Sequence, residues 1–316
     1  MANNKIKLFA VVGPTASGKT ALSIELARRM GGEIVCCDSM QIYRRMEIGT
    51  AKPTAEERSA VPHRMFDLAD PEEPYSCADY VRDAAREIGE ITARGAVPIL
   101  CGGTGLYLDS LLRGGSFEET EVDPALREEL RLFAEREGNH ALHERLRAVD
   151  PASAEAIHEN NVKRVIRALE IFYGTGMTKT EADERSRAVE SPYDATVIGL
   201  RFESRELLYR RIDRRVELML EAGLLEETRR LRDEGVFERN ATAAQAIGYK
   251  ELLGYLDGKA GLAESVETLK RATRRYAKRQ MTWFGAKEYV RWLTLDREGE
   301  MKPAEEILAQ ALALCE

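Results

Sequence analysis

The segment GPTASGKT, Gly13 to Thr20, constrains the fold of this chain more than any other stretch. It matches the phosphate-loop pattern GxxxxGK[ST], in which backbone amides and a lysine surround a phosphate and the last hydroxyl reaches its metal ion. An apolar run at Leu8 to Val12 predicts a buried strand before the loop, and helical sequence follows from Thr20 to Met30. We therefore predict an α/β fold that binds a phosphorylated ligand at a helix N-terminus.

Two further apolar runs, Glu33 to Asp38 and Ala96 to Thr104, are separated by helical sequence. This alternation is typical of a parallel sheet flanked by helices, as in P-loop NTPase-like folds. No strand pattern appears between Phe117 and Glu190, and strand character returns at Ala195 to Phe202. We therefore predict a catalytic α/β core of residues 1–115 and 191–316, interrupted by an inserted all-helical domain of residues 116–190.

Helical patterns dominate both the insertion and the C-terminal part of the core. In the insertion, helix starts are predicted at Asp123-Pro124 and Asp150-Pro151, and a third helix at Asn161 to Tyr173. After the insertion, the pattern predicts four helices, a strand and a terminal helix; the helices are Arg205 to Glu221, Leu224 to Arg232, Thr242 to Leu256 and Leu262 to about Phe284, and the strand is Tyr289 to Leu295.

The composition narrows the class of protein. The 316 residues are 44% hydrophobic and carry a formal net charge of -7, so an RNA or an anionic membrane would have to meet a local basic patch. The five cysteines contain no CxxC pair, which argues against a disulfide framework or a zinc site, and we expect them to be small core residues. The N-terminal apolar run is too short for a secretory or membrane segment, so we expect a cytoplasmic protein with no membrane partner.

The third predicted strand lacks the strand-tip carboxylate that usually accompanies a phosphate loop. An NTPase needs a carboxylate on a neighbouring strand to hold magnesium, yet the third strand ends in Gly102-Gly103-Thr104. The second strand ends in Asp38-Ser39, so Asp38 is the strand-tip carboxylate nearest the loop. Two interpretations stay open: Asp38 is a turn or cap residue, or it projects over the sheet edge to take a proton or bind a metal.

A basic segment lies near the C-terminus. Six of the ten residues from Lys270 to Arg279 are basic, and they form two rows with a spacing of four on the predicted helix, followed by Trp283 and Phe284. A solvated charged face is the simpler interpretation, and a nucleic-acid contact is the alternative. Acidic residues are absent from this segment, which weakens the interpretation as paired surface charge.

Several motifs together resemble one family. GPTASGKT, CDSMQIYRRMEIGTAKP, VPHRMFDL, GGTGLYL, QAIGYKE and KRATRRYAKRQMTWF are similar, in order and spacing, to the tRNA dimethylallyltransferases, also called tRNA isopentenyltransferases or the IPP transferase family. The resemblance covers nearly the whole chain. Glu47 stands where the family more often has Asp, and the absence of the zinc finger of eukaryotic members points to the bacterial type.

This resemblance implies transfer of a dimethylallyl group from dimethylallyl diphosphate to the exocyclic N6 amine of adenosine 37, the adenosine 3′ of the anticodon in tRNA. Asp38 would be the catalytic base, with Thr15 and Arg211 close to the donor and Arg215 a weaker candidate. Thr20 would hold Mg²⁺. The loop that binds the donor diphosphate would consist of Gly13, Pro14, Thr15, Ala16, Ser17, Gly18, Lys19 and Thr20.

The resemblance also implies contacts to the anticodon stem-loop. At the strand tips these would be Asp38, Ser39, Met40, Gln41 and Thr104. The inserted helix would contribute Lys163, Arg164 and Arg167, and the C-terminal basic helix would contribute Lys270, Arg271, Arg274, Arg275, Lys278 and Arg279. We expect a monomer.

Competing functions remain at this stage. A small-molecule or nucleotide kinase also combines a phosphate loop, a second-strand Asp and an inserted helical lid, and it would bind ATP. A non-catalytic RNA-binding module would leave the phosphate loop unexplained. We expect His140 and His143 to lie on a surface helix rather than to bind a metal, and the sequence assigns no role to His63.

Overall fold

The computed structural model describes residues 5–114 and 123–315. The chain forms two compact units, one built from Met1–Leu112 and Tyr193–Glu316 and the other from Arg113–Pro192. The boundary predicted between residues 190 and 191 falls two residues before the second unit ends. The boundary predicted between residues 115 and 116 lies outside the described residues.

A six-stranded sheet in which every pairing is parallel forms the centre of the first unit, which confirms the predicted α/β class. The strands follow the spatial order β3-β2-β4-β1-β5-β6. They are β1 Ile6–Val12, β2 Gly32–Cys36, β3 His63–Arg64, β4 Val97–Cys101, β5 Tyr193–Arg201 and β6 Val290–Thr294. The two-residue strand β3 was not predicted, because so short a strand carries no periodic pattern.

Strand β1 is buried on both faces because helices cover both sides of the sheet. Leu8, Ala10 and Val12 contribute to one apolar core, and Phe9 and Val11 contribute to another on the opposite face. This period of two is the ordinary geometry of a strand, and continuous apolar sequence is what burial on both faces requires.

Helices connect the strands of the first unit and pack on both faces of its sheet. Two of them begin with capping boxes at Thr54 and Ser76, where a Glu or Asp three residues later returns the hydrogen bond. Before the insertion the helices are α1 Lys19–Met30, α2 Ala55–Ala60, α3 Cys77–Ala93 and α4 Gly105–Arg113.

The second unit consists of five helices within its described residues, as the absence of strand patterns predicts. Asp123 and Asp150 cap helices that begin with proline, and the core includes Leu130, Leu142 and Leu169. The helices are α5 Pro124–Glu137, α6 Asn139–Val149, α7 Pro151–Ala156, α8 Val162–Thr175 and α9 Lys179–Ala188.

One histidine of this unit differs from expectation. His140 is exposed and pairs with Glu159, but His143 is buried. The Nε2 atom of His143 donates to the carbonyl oxygens of Ala154 and Ile157, so this side chain joins α6 to the end of α7. The expectation of a surface position was wrong for His143, because backbone carbonyls satisfy its ring nitrogen inside the core.

The C-terminal part of the first unit is mostly helical. The helix predicted at Thr242 to Leu256 is wrong, since Gly248 has φ 110° and ψ -51°, outside the helical region, and a new helix begins after it. The elements are α10 Arg205–Glu221, α11 Leu224–Asp233, α12 Val236–Arg239, a 3₁₀ turn at Ala243–Gln245, α13 Tyr249–Leu256, α14 Leu262–Gly285, a two-stranded hairpin of β7 Asp296–Arg297 and β8 Glu300–Met301, and α15 Ala304–Cys315.

Across the described ranges 5–114 and 123–315, no helix is both long and apolar enough to cross a membrane.

Candidate active site

The carboxyl ends of β1, β2 and β4 meet at one edge of the sheet, because these strands run parallel and are neighbours. Hydrogen bonds join the loops that leave them. The Cys37 amide donates to the Cys101 carbonyl at 2.8 Å, the Gly102 amide to Val11 at 3.2 Å, and the Thr104 amide to Cys37 at 3.1 Å. The phosphate loop, Asp38 and the GGT turn are therefore brought together, which is where ligands bind in open α/β sheets.

The phosphate loop presents a buried amine. Lys19 Nζ donates to the Pro14 carbonyl at 2.8 Å, and burial lowers the Lys19 pKa to about 8. Ser17 Oγ is buried and has no hydrogen-bond partner among the described residues. A buried hydroxyl with a free donor and a desolvated ammonium in one loop are chemically suited to an anionic ligand.

Two arginines of α10 add positive charge. Arg211 Nε donates to the Ala16 carbonyl at 2.9 Å, which places its guanidinium at the phosphate loop. Arg215 lies one turn later, and its guanidinium forms no hydrogen bond or ion pair with any residue that the structure describes. Burial lowers the pKa of Arg215, and the nearby Asp38 charge opposes that shift. Arg215 is thus a stronger candidate than the sequence suggested, because a desolvated unpaired cation needs an anionic partner.

Asp38 combines the two roles that the sequence left open. Its Oδ1 accepts the Met40 amide at 2.9 Å, which is the local bond of a turn residue. Burial raises the pKa of Asp38, and the Met40 bond and the Lys19 charge work against that increase. A carboxylate with a raised pKa beside a phosphate-binding loop is a good proton acceptor, because its basicity exceeds that of an exposed aspartate.

The neighbours of Asp38 are now defined. The Ser39 amide donates to Thr104 Oγ1 at 3.0 Å, so Thr104 connects the GGT turn to the second strand tip. Burial raises the pKa of Tyr276, and the Asp38 charge adds to that shift. Tyr276 on α14 is therefore close enough to be influenced by the Asp38 charge, although nothing in the local sequence connects it to residue 38.

Gln41 is engaged within the protein. Its Nε2 donates to the Thr50 and Ala51 carbonyls at 3.0 and 3.1 Å, and its Oε1 accepts from the Cys36 thiol at 3.5 Å. The side chain thereby holds the GTAKP segment against the second strand tip. The predicted contact of Gln41 with tRNA stays a prediction, and it would require the amide to be shared or released.

A buried carboxylate anchors the other side of that segment. Glu227 accepts hydrogen bonds from three successive amides, those of Glu47, Ile48 and Gly49, at 3.0 to 3.1 Å. The Tyr249 hydroxyl also donates to Glu227, at 2.6 Å. Through Glu227 these contacts join GTAKP to QAIGYKE, two motifs that are distant in sequence. No local sequence pattern predicts this role for Glu227.

Two of the six basic residues of α14 form ion pairs with acidic residues of α10. Lys270 pairs with Glu217 at 3.0 Å, and Arg274 pairs with Asp213 at 2.9 Å. The basic segment contains no acidic residue of its own, so α10 supplies the carboxylates for these two ion pairs. The local sequence did not reveal them. Within the described residues, the exposed members without an ion pair are Arg271, Arg275, Lys278 and Arg279.

The basic residues of α8 likewise divide into side chains that form ion pairs and side chains that do not. Lys163 and Arg164 are exposed, and they form no ion pair with the described residues. Arg167 lies 3.4 Å from the buried carboxylate of Glu170, which is also bound by Arg127 at 2.6 Å. Lys163 and Arg164 are therefore the members of this set that are available to a ligand.

The predicted magnesium ligand, Thr20, lies in the phosphate loop. The described residues contain no group of three or more His, Cys, Asp and Glu side chains that could hold a metal. Mg²⁺ commonly binds through one or two protein groups together with substrate phosphates. The Thr20 hydroxyl, in the first turn of α1, fits that donor set.

His63 makes local contacts at the edge of the sheet. It lies on β3, its Nδ1 contacts the Val61 carbonyl at 2.8 Å, and its ring meets Phe66 edge-on. The five cysteines are free, and four of them are buried, as expected of small core residues.

Comparison with known proteins gives a consistent result. The family model described as IPP transferase matches residues 41–287, and one described as isopentenyl transferase matches residues 6–66. The chain is 49% identical to the tRNA dimethylallyltransferase of Halalkalibacterium halodurans, over 92% of each chain. It is 48% identical to that of Bacillus velezensis, over 99% of this chain and 100% of the relative.

Solved structures agree. The full-length tRNA isopentenylpyrophosphate transferase of Bacillus halodurans superposes with a TM-score of 0.70 at 45% identity, covering 98% of this chain and 97% of that one. A eukaryotic dimethylallyltransferase, described as acting on tRNA, gives a TM-score of 0.79 at 31% identity, covering 92% and 74%. By sequence, fold and site, this chain belongs to the IPP transferase family, the tRNA dimethylallyltransferases.

Proposed function

We propose that this chain transfers the dimethylallyl group of dimethylallyl diphosphate to the N6 amine of adenosine 37 in tRNA and releases diphosphate. The observation that carries the proposal is the position of Asp38, a carboxylate with a raised pKa beside the phosphate loop. The bond from the donor carbon to its diphosphate oxygen breaks, a bond from that carbon to N6 forms, and one amine proton passes to Asp38. We expect the protein to act as a monomer in the cytoplasm.

The cations around the phosphate loop stabilise the leaving group. Negative charge builds on the diphosphate as the carbon to oxygen bond breaks, and fixed donors stabilise that charge more than the ground state. These hydrogen-bond donors are the loop amides, Lys19, Arg211 and Arg215. Thr15 would lie close to the dimethylallyl diphosphate. Protonated Lys19 is the form that binds best, because only the ammonium complements the diphosphate charge.

Thr20 would hold Mg²⁺ at the bound diphosphate. When bound, the ion supplies charge neutralisation to the diphosphate.

Asp38 raises the reactivity of the acceptor. The adenine amine is a weak nucleophile because its lone pair is delocalised into the purine, so removal of a proton during attack assists bond formation. The Met40 amide orients one carboxylate oxygen and leaves the other for the substrate. No water has to be positioned for this reaction, which accounts for a GGT turn without a carboxylate.

The target adenine has to leave its stack before it can react, at a cost of a few kcal/mol. An unpaired anticodon loop reduces that cost relative to a duplex. Thr104 and the segment Asp38 to Gln41 would contact the extruded base or its neighbours. The exposed cations of α14 and α8 would bind the phosphate backbone, which is how such residues position a nucleic acid.

A two-armed assay tests this function against the kinase alternative. In one arm the protein is incubated with radiolabelled dimethylallyl diphosphate, Mg²⁺ and unmodified tRNA. In the other it receives γ-labelled ATP with the same tRNA or with small hydroxyl acceptors. Label in tRNA adenosine in the first arm supports the transferase. Phosphate transfer in the second arm without label in the first would establish a kinase, and tRNA binding without either transfer would leave an RNA-binding module.

A further inference from the structure

Gln280 on α14 joins the phosphate loop to the GGT turn. Its Oε1 accepts the Thr15 amide at 2.9 Å, and its Nε2 donates to the Gly103 carbonyl at 3.1 Å. The side chain is 5% exposed, so water does not compete for either bond. These two loops are the ones that the proposed reaction assigns to the diphosphate and to the acceptor base.

The GGT turn is shaped around this amide. A Cβ atom on Gly103 would overlap Gln280 Nε2, while the next nearest atoms outside Gln280 lie 3.6 Å away. Gly103 does not have a positive φ, so the requirement for glycine here comes from the neighbour and not from the backbone. One turn further along α14, Trp283 packs in the same way on Gly105. Helix α14 therefore docks on this turn at two successive glycines.

The chemistry of the side chain suits the position. The primary amide of Gln offers an acceptor and a donor on two separate atoms without a charge, and Asn would be too short to reach both loops. A carboxylate here would place negative charge beside the diphosphate site. Thr104 continues the connection, because its Oγ1 accepts the Ser39 amide at the Asp38 strand tip.

We propose that Gln280 is a positioning residue that fixes the spacing between the diphosphate loop and the loop facing the acceptor base. It touches no reacting atom. This inference rests on the proposed function for its kinetic consequence, and its effect on the phosphate loop can be measured without that function. A displacement of about 1 Å between the reacting groups costs on the order of 100-fold in rate, so loss of the amide is expected to lower kcat.

The test uses full-length protein with Gln280→Met, which keeps the length and packing of the side chain and removes both bonds. The matched control is Leu269→Ala, a buried residue of α14 three turns away. For Gln280→Met we expect kcat to fall about 30- to 100-fold at saturating substrates. The Kd of inorganic pyrophosphate, measured by calorimetry, is expected to rise about 10-fold, because the Thr15 amide is no longer held. The KM for tRNA is expected to stay within about 3-fold of the wild-type value.

Gly103→Ala supplies an independent route if Gln280→Met folds poorly. It displaces the same amide from outside, so it is expected to lower kcat and weaken pyrophosphate binding in the same way. Leu269→Ala is expected to lower the unfolding temperature while leaving both readouts near wild type. Unchanged kcat and pyrophosphate Kd in both site variants, or equal losses in Leu269→Ala, would overturn the proposal. If wild-type protein transfers no prenyl group, the proposed function fails, and the pyrophosphate measurements still decide the role of Gln280.

Discussion

Arg211 Nε donates a hydrogen bond to the carbonyl oxygen of Ala16 at 2.9 Å, although the two residues are 195 positions apart in the chain. Ala16 has φ 64°, a left-handed conformation that is uncommon for a residue other than glycine. This bond holds the guanidinium at the phosphate loop, and its remaining donors form no hydrogen bond among the described residues. They are therefore available to a bound diphosphate.

Replacement of Arg211 tests its role toward the leaving group. We expect Arg211→Ala to lower kcat/KM for dimethylallyl diphosphate by about 100- to 1000-fold, the usual cost of losing one donor to a developing anion. Arg214→Ala is the matched control, because Arg214 lies on the same helix and its side chain is 59% exposed. Steady-state kinetics at saturating tRNA check the prediction, and equal losses in the two variants would contradict it.

Replacement of Asp38 separates its turn role from its catalytic role. Asp38→Asn keeps an oxygen that accepts the Met40 amide, but the amide group cannot take a proton. We therefore expect kcat to fall by about 100- to 10,000-fold while the Kd for tRNA stays near wild type. If Asp38 served only the turn, Asp38→Asn would retain nearly full activity.

The pH profile gives a second test of Asp38. Only the ionised carboxylate accepts a proton, and burial raises its pKa. The wild-type kcat/KM is therefore expected to decline as pH falls through a pKa above the ordinary range of aspartate. This acidic limb should be missing from the residual activity of Asp38→Asn; its persistence there would assign the limb to another group.

The lowered pKa of Lys19 predicts that pyrophosphate affinity falls at high pH. Because burial lowers its pKa to about 8, the free protein loses the Lys19 charge as pH rises above that value, and pyrophosphate binding is expected to weaken. Lys19→Arg is the control, since a guanidinium stays protonated throughout this range. Calorimetric titrations from pH 7 to pH 9.5 should show the affinity of the wild type falling relative to Lys19→Arg. Parallel profiles would show that Lys19 does not titrate in this window.

The basic face of α14 makes an ionic-strength prediction. Arg275 is exposed and unpaired among the described residues, so Arg275→Gln is expected to lower the salt slope of tRNA binding by about 0.7 to 0.9. Arg274→Gln, which breaks the ion pair with Asp213, is expected to change the slope less. Filter binding across a salt series measures both. Identical slopes in wild type and Arg275→Gln would show that Arg275 lies on an ordinary solvated surface and does not contact tRNA.

The contact between Tyr249 and Glu227 predicts a loss of stability. Tyr249→Phe keeps the buried ring and removes the hydroxyl donor to a carboxylate, so the free energy of unfolding of the first unit is expected to fall by about 1.5 to 3 kcal/mol. Tyr255→Phe is the control, because its hydroxyl makes no hydrogen bond with the described residues. Urea denaturation of both variants checks the difference. Equal stabilities would show that the hydrogen bond from Tyr249 to Glu227 does not stabilise the fold.

Local sequence predicted those parts of the fold that depend on local patterns. The predicted strand before the phosphate loop and the predicted helix α10 agree with the structure to within two residues. An apolar run marks the strand, and in the structure the Ser204 side chain caps the helix. Helix α8 continues through Gly174 and ends at Thr175, because the left-handed residue that caps it is Gly176. Gly248 was not recognised as a break, because Gly49 approaches it only in the folded chain.

Long-range contacts at the site left no trace in the sequence. Gln280 and Thr15 are separated by 265 residues, and Glu227 meets the amide of Gly49 across 178. The ion pairs of Lys270 and Arg274 with α10 have the same origin, since helix packing brings them together. The loop, Asp38 and the GGT turn were found because their chemistry lies at strand ends, where parallel topology makes neighbours of distant segments.

The most direct test is the nucleoside composition of unmodified tRNA after incubation with the protein, dimethylallyl diphosphate and Mg²⁺, measured by mass spectrometry with Asp38→Asn in parallel. The proposed function predicts N6-dimethylallyladenosine from position 37 and stoichiometric pyrophosphate with the wild type, and almost none with Asp38→Asn. Unmodified adenosine at position 37 after treatment with folded wild-type protein, or equal product from the two proteins, would contradict it.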